Sequence, residues 1–471
     1  MRKTKIICTI GPVTESIEML EKLAAAGMNI ARLNMSHGSH ESHSQIIQSI
    51  KTLNKRLDHP VAILLDTQGP EIRTGDMADD LHLNEGDTIS IVARGAENVE
   101  ESSIHINYDD LINDVDVGDT ITVDNGLINL EVLEKHDRMM QVKVIDGGLL
   151  KSKRHVNLPG IRVNLPAITE KDRRDIEFGM SQGVDFIALS FVREAADIEQ
   201  LRELLGQAAD QTKIIAKLED QEAITNMIEI IDAADGIMVA RGDLGVHLPI
   251  SKVPSAQKYI INLANKKGKE VITATQMLES MTSSLTPTRA EVSDVANAVF
   301  EGADAIMLSA ESASGDYPVE TVKMMNKIAI NIEKDSNYND ILSSQLEDTP
   351  DTTPDAIAVA AKTLADELSA PIIVCYTESG STGIKVSRVR PSQTILTITP
   401  VVQTARKLSL AWGVLCFLQK DESDLEHMIK LTKKTVKKSG LAIGGDKVVI
   451  TAGLPLKVQG TTNLIRVTTV K

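Results

Sequence analysis

Eight times along this sequence a short apolar run stops in polar or charged residues and gives way to an amphipathic helix, and few folds accommodate that cycle. The runs are Ile6–Thr9, Asn29–Leu33, Val61–Leu65, Phe186–Leu189, Ile214–Ala216, Ile237–Ala240, Val271–Ala274 and Ala305–Leu308. Runs this short and this apolar read as strands buried on both faces of a parallel sheet, with helices packed outside. Eight of them predict an α/β fold built on a closed (β/α)8 TIM barrel. Helix punctuation agrees. The segment Ser16 to Ala25 ends at Gly27, Ala256 to Lys267 ends at Gly268, and Thr169 followed by Glu-Lys-Asp opens a helix that stops near Gly183.

Between the third and fourth runs, from about Pro70 to Pro166, the cycle breaks into short strands and turns such as T-I-S-I-V and M-Q-V-K-V-I-D-G-G, with no clear amphipathic helix. The expected organisation is a barrel formed by 1–69 and 167–340, interrupted by an inserted β-barrel lid domain at 70–166. The polar, acidic stretch from about Asn337 to Pro354 reads as a linker or a loosely packed loop. Beyond it, alternating strands and helices predict a separate C-terminal α/β domain over 350–471.

Composition removes several classes of partner. A net charge of −16 over 471 residues would repel nucleic acid and anionic membranes. No apolar run approaches the about 18 residues of a membrane span, and the opening M-R-K-T-K-I-I-C lacks a signal peptide's apolar segment, so the cytoplasm is expected. Cys8, Cys375 and Cys416 lie too far apart for a C-x-x-C site and read as packing residues. The run K-K-T-V-K-K near Lys433 reads as a solvated helix face.

The chemistry is concentrated where the strands end. Arg32, Asn34 and Ser36 follow one; Asp66 and Thr67 another; then come Ser190, Lys217 with Glu219, Asp243, Thr275, and Ser309 with Glu311. In a closed barrel these ends converge on the face where active sites lie. Any one of them alone is better explained by a loop cap or turn, and only their repetition at one strand end points to a site. Neither phosphate-loop nor dinucleotide glycine fingerprints occur in a strand-to-helix setting, so a nucleotide must bind in another way. Glu219 and Asp243 are hard oxygen ligands suited to magnesium or manganese, and with Lys217 and Arg32 they fit a phosphoryl group in transit. The alternative is a structural ion-pair network. Arg241, Gly242, Asp243 and Gly245 read as a glycine-bearing turn whose backbone N–H groups can hold a carboxylate. His37, His40 and His43 are spaced three apart but lack the H-E-x-x-H pattern, and read as a helix start rather than a zinc site.

The stretches C-T-I-G-P (Cys8–Pro12), A-R-L-N-M-S-H-G (Ala31–Gly38), L-D-T-Q-G-P-E-I-R-T-G (Leu65–Gly75), V-N-L-P-G (Val156–Gly160), S-F-V-R (Ser190–Arg193), A-K-L-E (Ala216–Glu219), M-V-A-R-G-D-L-G (Met238–Gly245), A-T-Q-M-L-E-S-M (Ala274–Met281), P-T-R-A-E-V-S-D-V-A-N-A-V (Pro287–Val299) and M-L-S-A-E-S-A-S-G-D-Y-P (Met307–Pro318) closely resemble the pyruvate kinases. The resemblance implies transfer of phosphoryl from phosphoenolpyruvate to ADP, giving pyruvate and ATP, by a homotetramer whose C-terminal domain serves effector binding and assembly. It implies that Arg32, Lys217, Gly242, Asp243 and Thr275 bind substrate, with Lys217, Arg32 and Thr275 catalytic. Glu219 and Asp243 are implied to hold Mg2+ (or Mn2+), and Asn34, Ser36, Asp66 and Thr67 to hold K+. Asn34, Met35, Ser36, His37, Arg73 and Arg154 match the nucleotide site. A magnesium-dependent barrel lyase would share the carboxylates but not the lid, Arg73 or the potassium quartet. A non-catalytic sugar-phosphate sensor would not keep Lys217, Glu219, Asp243 and Thr275 together.

Three departures qualify the likeness. Arg154-His155 stands where the pattern has Lys-Gly, which keeps the charge but not the shape of that contact. In the implied effector loop Thr377, Ser379, Gly380, Ser381 and Thr382 keep the phosphate-cradling hydroxyls and glycine. There Glu378 replaces the lysine of the form that binds fructose bisphosphate, and the later loop Gly453–Asn463 offers Lys457 in place of an arginine. A phosphorylated effector with one phosphate is therefore expected. The extra phosphoenolpyruvate-utilising-type domain of some bacterial members is expected to be missing after Lys471.

Glu71 carries a direct expectation, because potassium-dependent members of the family have glutamate there and independent ones lysine. Activity is expected to collapse when potassium is replaced by sodium or tetramethylammonium and to return with potassium. Full activity in a tetramethylammonium buffer would refute this.

Overall fold

The computed structural model describes all residues except 78, 94–102, 125, 162, 345–351, 420–424, 455–460 and 471. Strands Lys5–Thr9, Ile30–Asn34, Ala62–Asp66, Phe186–Leu189, Lys213–Leu218, Gly236–Ala240, Glu270–Ala274 and Ala305–Leu308 close into one barrel, each pairing in parallel with its neighbours. Every residue of the first, third and sixth strands is buried, as strands covered on both faces require. Alternate residues divide between two cores. Ile7, Ile30, Leu64, Phe186, Ile215, Met238, Ile272 and Met307 fill the barrel, while Ile6, Cys8, Leu65 and Ile187 face the helices. The interior cluster also contains Leu410, which comes from the C-terminal part of the chain and is fully buried. Burying such a side chain contributes roughly 1.5–3 kcal/mol.

The helices begin and end where the local signals place them. Ile17–Ala26 is capped by Ser16 and Gly27, and Glu170–Gln182 by a Thr169–Asp172 capping box and left-handed Gly183. The helix expected from Ala256 starts earlier, at Val253, because Pro254 occupies its first turn, where its missing N–H costs nothing. Among the described residues no helix is long and apolar enough to cross a membrane.

The inserted segment forms a six-stranded sheet, mostly antiparallel, and a two-stranded ribbon around their own apolar cluster. It also carries one short helix, Leu111–Asp114, that its turn-rich sequence did not announce. Its departure and return are tied together. Asp172, in the helix after the insert, accepts from the backbone N–H of Gln68 (3.1 Å) and Gly69 (3.0 Å) just before it. Arg193 donates to the carbonyls of Val163 and Leu165 on the return path. Gly69 has φ +77°, and a Cβ there would stand 2.8 Å from Ser190 and from Phe191, so the turn has room for glycine alone.

The expected linker is a partial misreading. Tyr338–Ser344 is a helix, and Tyr338 and Leu342 are buried, with the Tyr338 hydroxyl accepting from Trp412 Nε1 at 3.3 Å. Its apolar residues recur at helical spacing within a polar stretch, which composition alone obscures. Beyond it, strands Val414–Leu418, Thr394–Thr399, Ile372–Tyr376, Lys447–Gly453 and Thr462–Thr469 form a five-stranded sheet in that order, the last one antiparallel.

Candidate active site

The ends of the second, third and fifth barrel strands bring four charges into contact. Lys217 Nζ lies 3.0 Å from Glu219 Oε1 and 3.1 Å from Asp66 Oδ1, and Arg32 Nε donates to Asp66 Oδ2 at 2.6 Å. Asp66 and Glu219 are fully buried, and Lys217 and Arg32 nearly so. Lys217 and Glu219 are two apart in sequence and so share one face of the chain as the strand ends at Leu218, which turns both to this cluster. Ser190 completes the arrangement: its Oγ accepts from Lys217 Nζ at 2.6 Å and donates to the Thr67 carbonyl at 2.7 Å.

Charge fixes the protonation states. Burial alone would lower the Lys217 pKa, but Asp66, Glu219 and Asp243 outweigh it and hold the ammonium above its ordinary range. Burial pushes the Asp66 carboxyl up, but Lys217 and Arg32 prevail and hold it below the usual carboxylate range. For Glu219, burial wins over Lys217 and the Asp243 charge adds to it, so the carboxyl is raised. Its Oε2 accepts the backbone N–H of Phe191 at 2.6 Å, while the buried Oε1 faces the Lys217 ammonium at 3.0 Å as an ion pair without a well-directed hydrogen bond. Among the described residues no hydrogen bond or ion pair ties down the Asp243 carboxylate. A glutamate pushed toward its neutral form, near an aspartate that no hydrogen bond holds, is the donor set a divalent cation fits, since the ion would favour both ionised forms. Among the described residues no cluster of three or more His, Cys, Asp or Glu forms a complete protein cage. Two carboxylates leave positions for other oxygens.

Asp243 lies in a short helix, Arg241–His247, and not in the open glycine turn expected from sequence. Four free N–H groups at a helix start satisfy the same pattern of Gly and Asp as a turn, so periodicity cannot separate them over seven residues. Gly242 N donates to Thr275 Oγ1 at 2.8 Å, and that hydroxyl donates to the Ala274 carbonyl at 2.7 Å. Thr275 and Gln276 both hold left-handed backbone conformations (φ +66° and +51°), an arrangement costly for residues with a Cβ. Arg241 fixes this corner by donating to the Thr275 carbonyl and to Asp294. Arg241, Gly242, Asp243, Gly245 and Thr275 line a cavity of about 600 Å³.

Asn34 and Asp66 are register partners on adjacent strands, with Ser36 N donating to Asn34 Oδ1 at 3.1 Å and Thr67 Oγ1 accepting from Ser190 N. The quartet Asn34, Ser36, Asp66 and Thr67 thus occupies two neighbouring strand ends. Arg32, Asn34 and His37 line a second cavity of about 500 Å³ with Pro12 and His43. Met35 does not: its side chain is in the core and its carbonyl accepts Lys171 Nζ. Arg73 and Arg154 stand apart on the insert. Arg73 is engaged with Glu71, and Arg154 Nη1 lies 3.5 Å from Asp124. The three closely spaced histidines diverge, with His40 stacked on Phe178 and bonded to Asp175, and His43 bonded to the His37 carbonyl.

In the C-terminal sheet, Thr377 to Thr382 bends through left-handed Gly380, whose N–H donates to Thr377 Oγ1. Ser379 and Ser381 are hydrogen-bonded to each other, and buried Thr382 bonds to Thr462. Lys457 lies outside the described residues. Sequence reasoning placed Ser190 at a strand end without assigning it a role; its partner Lys217 is 27 residues away, a separation only the closed barrel bridges.

Two family descriptions match the chain: pyruvate kinase, barrel domain, over residues 1–322, and pyruvate kinase, alpha/beta domain, over residues 355–468. Among similar proteins, the pyruvate kinase of Staphylococcus aureus strain bovine RF122 / ET3-1 is 47% identical over 470 residues, covering 99% of this chain and 80% of the relative. That of strain USA300 has the same identity and coverage. With family matches over residues 1–322 and 355–468 and near-complete coverage by such relatives, this chain belongs to the pyruvate kinase family.

Proposed function

We propose that the charge cluster at the barrel mouth performs the family's reaction, transfer of the phosphoryl group of phosphoenolpyruvate to ADP, with Lys217 as the group that meets the migrating phosphoryl. The bond from phosphorus to the enol oxygen breaks, one to the terminal phosphate oxygen of ADP forms, and the released enolate takes a proton to become pyruvate. The carrying observation is the balance of charge: with Glu219 ionised as a metal ligand, Asp66, Glu219 and Asp243 outnumber Arg32 and Lys217, leaving the protein groups net negative where an anion must bind. Mg2+ (or Mn2+) held by Glu219 and Asp243 would reverse that sign and neutralise phosphoryl oxygens.

The remaining work falls to side chains. Asp66, Glu219 and Ser190 hold the Lys217 ammonium in place, so it stabilises developing charge without reorganising. Arg32, fixed by Asp66 and by Thr9 Oγ1 at 2.9 Å, also contacts the phosphoryl group. The backbone at Gly242 and Asp243, with Thr275, holds the substrate carboxylate end. Thr275 Oγ1 stands beside the path by which the enolate is protonated. Asn34, Ser36, Asp66 and Thr67 are the proposed K+ ligands, and Asn34, Met35 (through its backbone), Ser36, His37, Arg73 and Arg154 the nucleotide contacts. A homotetrameric, cytoplasmic enzyme is proposed on the family likeness.

Regulation is proposed at Thr377, Ser379, Gly380, Ser381 and Thr382, whose hydroxyls and left-handed glycine suit one phosphate.

Three measurements test these roles. In an assay of pyruvate formation from phosphoenolpyruvate with ADP, magnesium and potassium, Lys217→Met is expected to lose about 10³-fold or more in turnover, about 4 kcal/mol of barrier. A variant within tenfold of the parent would overturn the role of Lys217. Ser190→Ala should lower turnover roughly tenfold through a loosened ammonium while the ADP KM stays put; parent-like turnover would remove Ser190 from the mechanism. Titrating effectors against substrate saturation should show activation by a sugar monophosphate or AMP, and activation by fructose 1,6-bisphosphate alone would count against the single-phosphate reading.

A further inference from the structure

We propose that His155 is a positioning residue for the nucleotide, holding the guanidinium of Arg73 in a fixed plane; this rests on the reading of Arg73 as nucleotide-facing. The two residues pair across an antiparallel bridge inside the insert, secured on either side by Val156 N to the Ile72 carbonyl and Thr74 N to the Arg154 carbonyl. Arg73 Nη2 lies 2.6 Å from His155 Nε2, Arg73 Nε donates to Glu71 Oε2 at 2.7 Å, and Arg73 Nη1 donates to the Lys153 carbonyl at 2.8 Å. Glu71 is itself held, accepting from Gln68 Nε2 at 2.7 Å. A guanidinium has five N–H donors, so these three described partners fix its plane and leave two to meet a phosphate.

The geometry dictates the state of the imidazole. Arginine has no acceptor, so His155 Nε2 accepts, and the ring is neutral with its proton on Nδ1. The charged groups facing His155 are Glu71 and Arg73 from the segment entering the insert, Asp124 from the neighbouring turn, and Asp243 from the barrel. Burial, the largest influence, favours the neutral ring. Protonation would remove the acceptor, set two cations against each other, and offer Glu71, whose Oε1 is 3.5 Å from Nε2, a competing partner. A long side chain held in advance loses less freedom when ligand arrives, and that saving appears in nucleotide affinity and not in the chemical step. A glycine at this position, as in the family pattern, provides no such anchor.

Kinetics of the full-length enzyme across pH test the assignment. His155→Gly should raise the KM for ADP about five- to tenfold with kcat within about twofold and the KM for phosphoenolpyruvate unchanged. The parent's KM for ADP should climb toward that of His155→Gly as pH falls below the ordinary histidine range and the imidazole, held down by burial, protonates. His155→Gln, which can accept from arginine but does not titrate, should keep a low KM that rises there less steeply than the parent's, by no more than the protonation of the ADP phosphate itself requires. A parent-like KM for ADP in His155→Gly at every pH, or His155→Gln as impaired as His155→Gly, would overturn the proposal. Arg73→Ala separates the two readings: an unchanged KM for ADP in that variant removes Arg73 from the nucleotide site, whereas a raised one beside a parent-like His155→Gly sinks His155 alone.

Discussion

A fully buried carboxylate, Asp66, sits between two cations, Arg32 and Lys217, and the rest of the barrel mouth is arranged around that contact. Burying such charges costs several kcal/mol per ion before any attraction is counted, so each must be paired and hydrogen-bonded. The barrel satisfies this by drawing on different strands: Thr9 for Arg32, Ser190 and Glu219 for Lys217, and the Phe191 backbone for Glu219. An interior of close-packed Ile, Met and Phe beneath the cluster keeps water from screening it.

Backbone strain accompanies the charge. Phe191, Thr275 and Gln276 hold left-handed conformations just past the ends of the fourth and seventh barrel strands. At Phe191 the unusual φ delivers an N–H to Glu219, and at Thr275 it presents the hydroxyl to Gly242. Each costs of order 1–3 kcal/mol, sustained by the surrounding core. The site is thus preorganised by folding free energy and does not depend on ligand to take shape.

Much of this was legible in the sequence because buried parallel strands write themselves as apolar runs, and a polar residue that ends one lands on a single face of the barrel. Lys217, Glu219 and Arg32 converge as their strand-end positions imply. What was not legible depended on contacts without local signature. Ser190 is an ordinary strand-end serine until the barrel closes on Lys217. Tyr338 hides its helix within acidic composition, and the Arg241–His247 helix is too short for its period to show. The engagement of Arg73 with His155 required knowing which two segments of the insert run side by side.

Leu410 has a consequence for how the molecule comes into being. It belongs to the last third of the chain yet completes the packing beneath Ile7 and Met238, alongside Lys5, which reaches the Val414 carbonyl from the first strand. The cylinder's floor therefore stays open to solvent until that last third has left the ribosome, and a fragment cut short of it would carry a wetted, leaking core.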